Sequence, residues 1–214
     1  MRDGTGDAKG ARVNIVCLDL EGVLIPEIWI EFSKLTRIAE LARTTRDEPD
    51  YDKLMRGRLD ILARSKLGLP DIQKVIDGMR PFPGAREFLD GLRARFQVVI
   101  LSDTFNQFAQ PLMRQLGWPT LFCHELDIAA DGAVRAYRLR MQDHKRAAVR
   151  AFKSLNFGTV AAGDSYNDVP MLTEAHAGIF FHPPENIAAQ FPQFPVTKSY
   201  AELEAAIVAA IARA

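Results

Sequence analysis

The sequence predicts an α/β fold, a parallel β-sheet with helices packed on both of its faces. Five short apolar runs, rich in β-branched side chains, are typical of strands that are buried on both faces. Segments of helical periodicity separate most of these runs, and such alternation returns each strand to the sheet in the same direction. The strand-like runs cover 13–18, 97–101, 119–123, 158–162 and 177–181, and the helical segments include 84–95, 106–116 and 144–156.

The interval between the first two strands, residues 27–80, is far longer than one crossover helix requires. An excess of this length is typical of a functional insertion or a lid. The sequence therefore predicts a three-layer Rossmann-like core, formed by 13–26 plus 81–214, with a helical cap at 27–80 over the carboxyl edge of its sheet. Three stretches of the insertion have helical periodicity, namely 29–42, 51–66 and 70–79.

Three further segments complete the predicted organisation. Residues 1–12 contain glycine and charge but no apolar stretch, so we expect a flexible extension rather than a signal peptide. Two alternating runs within 124–140 flank Asp131 and Gly132, which predicts a β-hairpin at one sheet edge, away from the chemistry. The alanine-rich segment 200–212 is typical of a helix docked on the core, and it could also contribute to a homodimer.

Composition excludes several classes of protein. At 48% hydrophobic and 25% charged residues, the chain has the composition of a globular protein rather than a disordered or fibrous one. Lys plus Arg and Asp plus Glu both number 27, so no net charge favours nucleic acid, and no apolar run is long enough to cross a membrane. The two cysteines, Cys17 and Cys123, lie in apolar runs, which favours free thiols in the cytoplasm.

Polar side chains follow several of the predicted strands. Asp19 ends the first strand, Ser102 follows the second, and Asp164 and Asp168 follow the strand at 158–162. Lys145 lies at the start of the helix after the hairpin. Because the carboxyl ends of parallel strands meet at one crevice, we expect these side chains to become neighbours despite their separation in sequence.

The chemistry of these groups is complementary. Three carboxylates, Asp19, Asp164 and Asp168, would share one pocket, and each like-charged pair about 4 Å apart costs roughly 4 kcal/mol. A divalent cation relieves this repulsion, and an all-oxygen site beside a phosphate favours Mg²⁺. Lys145 adds a positive charge, and the Ser102 hydroxyl can hold a phosphoryl oxygen. The pattern therefore predicts phosphoryl transfer from a small-molecule phosphomonoester.

Two carboxylates are the candidates for catalysis in this pattern. Asp19 is left as the nucleophile, because a carboxylate delivered by a buried strand into a crevice can be phosphorylated. Glu21 lies two residues further on, across a turn at Gly22. It can protonate the leaving oxygen and then deprotonate the water that cleaves the aspartyl phosphate.

Four motifs in this order resemble those of the haloacid dehalogenase superfamily of phosphohydrolases: DLEGV at 19–23, LSDT at 101–104, Lys145, and GDSYND at 163–168. The resemblance extends from Val13 to about Phe181. Within the superfamily the chain is similar to phosphoserine phosphatases, and most closely to a bacterial branch described as phosphoserine phosphatase and phosphoserine:homoserine phosphotransferase. The stretches DLEGVLIPEIW, TTRDEPDYD, ILSDTF and FPQFP carry this closer similarity.

The resemblance implies a role for each matching position. Asp19 would be phosphorylated, and Asp19, Asp164 and the main-chain carbonyl of Glu21 would bind Mg²⁺, with Asp168 supporting the metal site. Glu27 would meet the ammonium group of the substrate, and the cap residue Arg58 its carboxylate. The positions that match or adjoin phosphate-binding positions are Ser102, Lys145 and Asn167; Thr104 is a further substrate-binding candidate, and Asp103 is given no role.

Glu21 departs from the usual pattern, because the wider superfamily has aspartate at this position. Glutamate is one methylene longer, so its carboxylate must fold back to reach the same oxygen. Our hypothesis is that Glu21 positions water less well than an alcohol, which favours transfer to homoserine over hydrolysis. The sequence leaves both outcomes open.

Other interpretations compete with these assignments. Asp164 and Asp168 lie near a helix start and could act as N-terminal caps, and Arg58 could be a surface charge like its neighbours. The four histidines are scattered in sequence rather than set at metal-ligand spacing, which argues against a zinc site. The substrate could be another small phosphomonoester, or the chain could be a non-catalytic module that binds a phosphorylated metabolite.

Overall fold

The computed structural model describes residues 12–45, 47–48 and 50–213, so residues 1–11 of the predicted extension lie outside the described residues. Within the described residues one seven-stranded sheet has the order β4-β3-β2-β1-β5-β6-β7. Every neighbouring pair is parallel except β3 and β4, which are antiparallel. The strands are β1 (Asn14–Leu18), β2 (Gln97–Phe105), β3 (Thr120–Ile128), β4 (Val134–Arg138), β5 (Gly158–Gly163), β6 (Ala177–Phe181) and β7 (Val196–Thr197).

Nine α-helices are present in the described part of the chain. Four of them lie between β1 and β2, and three of these four fall where the sequence predicts the insertion. No described helix has the length and apolar character that crossing a bilayer requires. The helices are α1 (Ile28–Thr36), α2 (Tyr51–Arg64), α3 (Leu69–Gly78), α4 (Ala85–Arg93), α5 (Asn106–Gln115), α6 (His144–Ser154), α7 (Val169–Glu174), α8 (Glu185–Gln190) and α9 (Tyr200–Ile211).

The two faces of the sheet have separate hydrophobic clusters, as the three-layer prediction requires. Along β1, Val16 and Leu18 pack into a cluster that contains residues of α4 and α9, whereas Cys17 packs into a second cluster with residues of α6 and α7. This alternation follows from the two-residue period of a strand, which sends successive side chains to opposite faces. The predicted α/β fold is confirmed.

The predicted hairpin is present, but its first strand is longer than the sequence pattern indicates. The run at 119–123 and the first alternating run beyond it form one strand, β3, which pairs with β2 in its first half and with β4 in its second half. The short elements β7, α7 and α8 were not predicted, because two to six residues carry too little periodicity to distinguish a strand from a helix.

The first predicted cap helix is interrupted. The stretch 29–42 divides into α1 and a 3-10 turn at Ala39–Ala42, because Arg37 has a φ of 59° and a left-handed residue cannot continue an α-helix. The Ser33 hydroxyl donates to the carbonyl of Ile38 at 2.8 Å across this break. Helices α1 to α3 share one hydrophobic cluster with α5, in which Trp29 and Phe108 lie edge to face.

Candidate active site

The carboxyl ends of β1 and β5 and the first turn of α6 form a buried ionic network. The Lys145 ammonium donates to Asp19 Oδ1 at 2.9 Å and to Asp168 Oδ1 at 2.8 Å. Asp19 is held in place because its backbone N–H donates to the carbonyl of Ala162 in β5. The predicted convergence of these three distant side chains is therefore present in the fold.

The charges in this network shift the pKa values of its members. Burial alone would lower the pKa of Lys145, but Asp168, Asp19 and Asp103 together raise it well above its usual value. Burial and the adjacent Asp168 raise the pKa of Asp19 well above that of a free carboxyl, while Lys145 opposes this rise. The site therefore contains more negative charge than one ammonium can balance.

Asp164 completes an acidic cluster that fits a divalent cation. Oxygen atoms of Asp19, Asp164 and Asp168 lie within 4.8 Å of one another, and all three side chains are buried. Gly22 provides the space for this cluster, because a Cβ atom there would lie 2.5 Å from Asp164 Cγ. The φ of 80° at Gly22 is also a conformation that favours glycine. Carboxylate oxygens at this spacing suit a hard cation such as Mg²⁺.

Asp168 differs from Asp19 because both of its oxygens already have protein donors. Oδ1 accepts from Lys145, and Oδ2 accepts from the backbone N–H groups of Asp164 and Ser165 at 3.0 and 3.1 Å. Asp19 Oδ2, in contrast, accepts no hydrogen bond from the described residues. This arrangement favours Asp168 as the anchor that orients Asp164 and Lys145, and it leaves Asp19 available for chemistry.

Glu21 lies at the boundary between the core and the insertion. Its Oε2 accepts a hydrogen bond from the backbone N–H of Ile28, the first residue of α1, at 2.9 Å. Burial and the neighbouring Glu27 raise the pKa of Glu21 to about 8. A carboxyl group with this pKa is protonated at neutral pH, as a proton donor to a leaving group must be.

The insertion contributes a buried arginine to the same cavity. Arg58 in α2 lies over the ring of Trp29, 4.5 Å from its centroid, and donates to the carbonyl of Arg43 at 2.7 Å. Its Nε has no hydrogen-bond partner among the described residues, and burial lowers its pKa to about 10. A buried guanidinium that lines a cavity is suited to an anionic ligand group.

The remaining predicted residues line the cavity between these groups. Ser102 is buried, its hydroxyl accepts from the backbone N–H of Thr104, and the Thr104 hydroxyl has no partner among the described residues. The predicted residues that line this cavity are Asp19, Glu21, Glu27, Arg58, Ser102, Thr104, Lys145 and Asn167. Asp164 and Asp168 lie beside it, in the acidic cluster.

Sequence reasoning gave no role to Asp103, which the structure places at the centre of a second network. Asp103 Oδ2 accepts from the Asn167 amide at 2.8 Å, and Oδ1 lies 3.0 Å from His144 Nε2 and 3.4 Å from His124 Nε2. The sequence suggested histidines scattered through core and surface, but the fold brings two of them together. Their separation of 20 positions gave no signal, because the two residues lie in different elements, β3 and α6, which only the tertiary fold brings together.

The sheet topology and the acidic cluster agree with the family that the sequence matches: the chain belongs to the haloacid dehalogenase-like hydrolase family, whose sequence model matches residues 13–176. The resemblance inferred from the four motifs is thereby confirmed. Phosphoserine phosphatase ThrH from Pseudomonas aeruginosa is 58% identical over 94% of this chain and 98% of its own length. A phosphoserine phosphatase from Pseudomonas syringae pv. tomato is 59% identical over 90% of this chain and 81% of its own length.

Solved structures support the same fold. The crystal structure of phosphoserine phosphatase from T. onnurineus in complex with NDSB-201 superposes with a TM-score of 0.71. That superposition covers 94% of this chain and 96% of the other, at 23% sequence identity. At this level of identity the likeness concerns the fold, and the assignment of chemistry rests on the residues of the site.

Proposed function

We propose that this hydrolase removes the phosphoryl group of O-phospho-L-serine through a phosphorylated Asp19, with Mg²⁺ as its metal. The observation that carries this proposal is the buried contact of Asp19 with Lys145 beside two further carboxylates, at the base of a cavity that also contains Arg58. Close relatives named phosphoserine phosphatase supply the substrate.

The reaction divides into two steps. In the first, a carboxylate oxygen of Asp19 bonds to phosphorus, the bond from phosphorus to the serine oxygen breaks, and the Glu21 carboxyl protonates that oxygen. In the second, Glu21 removes a proton from the acceptor hydroxyl, which bonds to phosphorus and releases Asp19. A pKa of about 8 suits Glu21 to both steps, because both its protonated and its ionised form are accessible near neutral pH.

Mg²⁺ would be held by Asp19, Asp164 and the main-chain carbonyl of Glu21. It would offset the negative charge of the carboxylates and of the phosphoryl group. Asp168 would orient Lys145 and the backbone of Asp164, because both of its oxygens already accept hydrogen bonds. The spacing of the three carboxylates, with ligand atoms within 4.8 Å of one another, supports such an ion.

Recognition of the amino-acid part of the substrate would come from the insertion. The buried Arg58 guanidinium lines the cavity, where it would pair with a substrate carboxylate. Glu27 precedes the first residue of α1 and lines the same cavity, so it can meet the substrate ammonium. In this proposal residues 27–80 form a cap that excludes bulk water during phosphorylation of Asp19.

The acceptor in the second step is water, with homoserine as the second candidate. The hydrogen bond from the Ile28 N–H holds the Glu21 carboxylate beside α1. Aspartate at this position would be one methylene shorter and would lose that contact. We therefore expect Glu21→Asp to lower the ratio of O-phosphohomoserine to free phosphate, and an unchanged ratio would contradict this part of the proposal.

A product assay with phosphoserine and Mg²⁺, with and without homoserine, tests the proposal directly. We expect free phosphate and serine, and O-phosphohomoserine when homoserine is present. Arg58→Ala tests the substrate assignment, because it should raise KM for phosphoserine far more than KM for p-nitrophenyl phosphate, which has no carboxylate. If Arg58→Ala affects the two substrates equally, another phosphomonoester is favoured as the natural substrate. If the parent protein turns over neither substrate, a binding module is favoured.

A further inference from the structure

Two histidines from different elements contact one carboxylate beside the active site. His124 lies in β3 and His144 is the first residue of α6, and both are almost completely buried. Their Nε2 atoms lie 3.4 and 3.0 Å from Asp103 Oδ1. The proposed reaction uses neither histidine, so the purpose of this arrangement is a separate question.

Arg140 fixes the tautomer of both rings. Its backbone N–H donates to His124 Nδ1 at 3.1 Å, and its guanidinium Nη2 lies 3.4 Å from His144 Nδ1. Because both Arg140 groups can only donate, each Nδ1 must be an acceptor without a proton. Each neutral ring therefore has its proton on Nε2 and donates it to Asp103 Oδ1.

The same geometry argues against a metal ion between these three side chains, although their ligand atoms lie within 4.8 Å of one another. A neutral imidazole that binds a metal through Nε2 must carry its proton on Nδ1. Here that proton would face an N–H donor of Arg140 at both rings. The donors of Arg140 thus favour a hydrogen-bonded cluster over a metal site.

The opposite oxygen of Asp103 faces the active site. Oδ2 accepts from the Asn167 amide at 2.8 Å and lies 3.5 Å from the Lys145 ammonium, which itself donates to Asp19. Burial alone would raise the pKa of Asp103, but Lys145 and the two imidazole donors hold it well below its usual value. Asp103 is therefore an anion whose two oxygens have different partners.

We propose that Arg140, His124 and His144 are positioning residues that act through Asp103, holding its carboxylate so that Asn167 and Lys145 are oriented toward the phosphoryl group. This inference rests on the proposed function, because it assigns those two residues to the phosphoryl group. It also links the hairpin edge, which contains His124, to the chemistry at the centre of the sheet.

The role follows from the number of donors on each oxygen. With both imidazole N–H groups in place, Asp103 Oδ1 is satisfied and Oδ2 is left for Asn167 and Lys145. If one imidazole donor is lost, the Asp103 carboxylate can rotate toward its remaining donors. The contact of the Lys145 ammonium with Asp103 then changes relative to its contact with Asp19. Charge stabilisation depends on donors that are oriented before the reaction begins.

The test compares two substitutions at His144. His144→Leu removes the donor, whereas His144→Gln retains an N–H group that can reach Asp103. We expect His144→Leu to lower kcat by about tenfold or more with KM within about twofold, and His144→Gln to recover most of the lost kcat. His176→Gln is the matched control, because His176 bonds to Thr159 at the opposite end of β5 and should leave kcat unchanged.

Three kinetic results would overturn the proposal: kcat unchanged in His144→Leu, equal losses in His144→Leu and His144→Gln, or a change confined to KM. The comparison is made with phosphoserine and with p-nitrophenyl phosphate. If the proposed substrate is wrong, the parent protein turns over only p-nitrophenyl phosphate, and the effect of His144 is still measurable on that substrate. Failure of the positioning proposal and failure of the proposed substrate are thus distinguishable.

A second measurement does not depend on activity. In ¹⁵N NMR spectra of the unsubstituted protein, His124 and His144 should both carry a proton on Nε2 and none on Nδ1. Protonation of Nδ1 in either ring would contradict the inferred hydrogen bonds. Stoichiometric Zn²⁺ binding that shifts both ring signals, and that persists in Asp19→Asn, would assign the cluster to a metal site instead and overturn the proposal.

Discussion

Gly22 provides the most direct test of how the first turn after β1 shapes the acidic cluster of Asp19, Asp164 and Asp168. A Cβ atom at this position would lie 2.5 Å from Asp164 Cγ and 2.6 and 2.7 Å from its carboxylate oxygens. Non-bonded carbon atoms normally approach to about 3.5–4.0 Å. In Gly22→Ala the Asp164 carboxylate must therefore move by about 1 Å or more from its present position.

The expected effect has two parts. Displacement of a catalytic group by about 1 Å can cost roughly 100-fold in rate, so kcat should fall by about that factor. The φ of 80° at Gly22 adds a backbone penalty of about 1–2 kcal/mol for alanine. For a chain of this size that penalty corresponds to a decrease in Tm of about 2–8 °C.

The assay measures Mg²⁺-dependent phosphate release and thermal unfolding on the same samples. Gly91→Ala is the matched control, because Gly91 lies within α4 and a Cβ atom there would meet nothing within 4 Å. That variant should keep full activity and gain about 0.5–1 kcal/mol of stability. If Gly22→Ala remains folded and keeps kcat within about threefold of the parent, the crowding argument is wrong.

Two further predictions concern the metal and the buried thiol. Mg²⁺ should raise the Tm of the parent protein, and Asp164→Asn should abolish that rise; an equal rise in both would place the ion elsewhere. Burial raises the pKa of the Cys17 thiol to about 12, so at pH 8 this thiol stays protonated. In Cys123→Ser we therefore expect no labelling by an alkylating reagent until the protein is unfolded, and rapid labelling of the native protein would contradict the burial of Cys17.

The convergence of the acidic site was predictable from sequence because it follows from one topological rule. Asp19 follows β1 and Asp164 follows β5, and parallel neighbouring strands bring such positions to the same edge. The placement of Lys145 beside them requires in addition only that a helix begins at that edge of the sheet. The family motifs then supplied the roles of Glu27 and Arg58, which composition and periodicity alone did not indicate.

The network around Asp103 was not predictable, because it depends on contacts that no sequence period encodes. His124 lies opposite Phe105, the last residue of β2, beyond a register shift in the parallel pairing of β2 with β3. His144 reaches Asp103 because Asp143, with a φ of 48°, lies immediately before α6, which begins at His144. Tertiary pairing and a left-handed residue together determine this part of the site.

The break after α1 has a similar origin. The apolar periodicity of 29–42 continues through Arg37, so the sequence predicts one helix, whereas the left-handed conformation of Arg37 ends it. The bond from the Ser33 hydroxyl to the carbonyl of Ile38 replaces one helical interaction across the break. Local side-chain bonds of this kind compete with the helix and leave little trace in hydrophobic patterning.

The central claim is that Asp19 carries the phosphoryl group between donor and acceptor. Rapid acid quenching of the protein with isotopically labelled phosphoserine and Mg²⁺, followed by peptide mapping, measures this directly. We expect a hydroxylamine-sensitive phosphoryl adduct on Asp19, lost when Mg²⁺ is removed and absent from Asp19→Asn. Turnover that persists in Asp19→Asn, or an adduct on a different residue, would contradict the account.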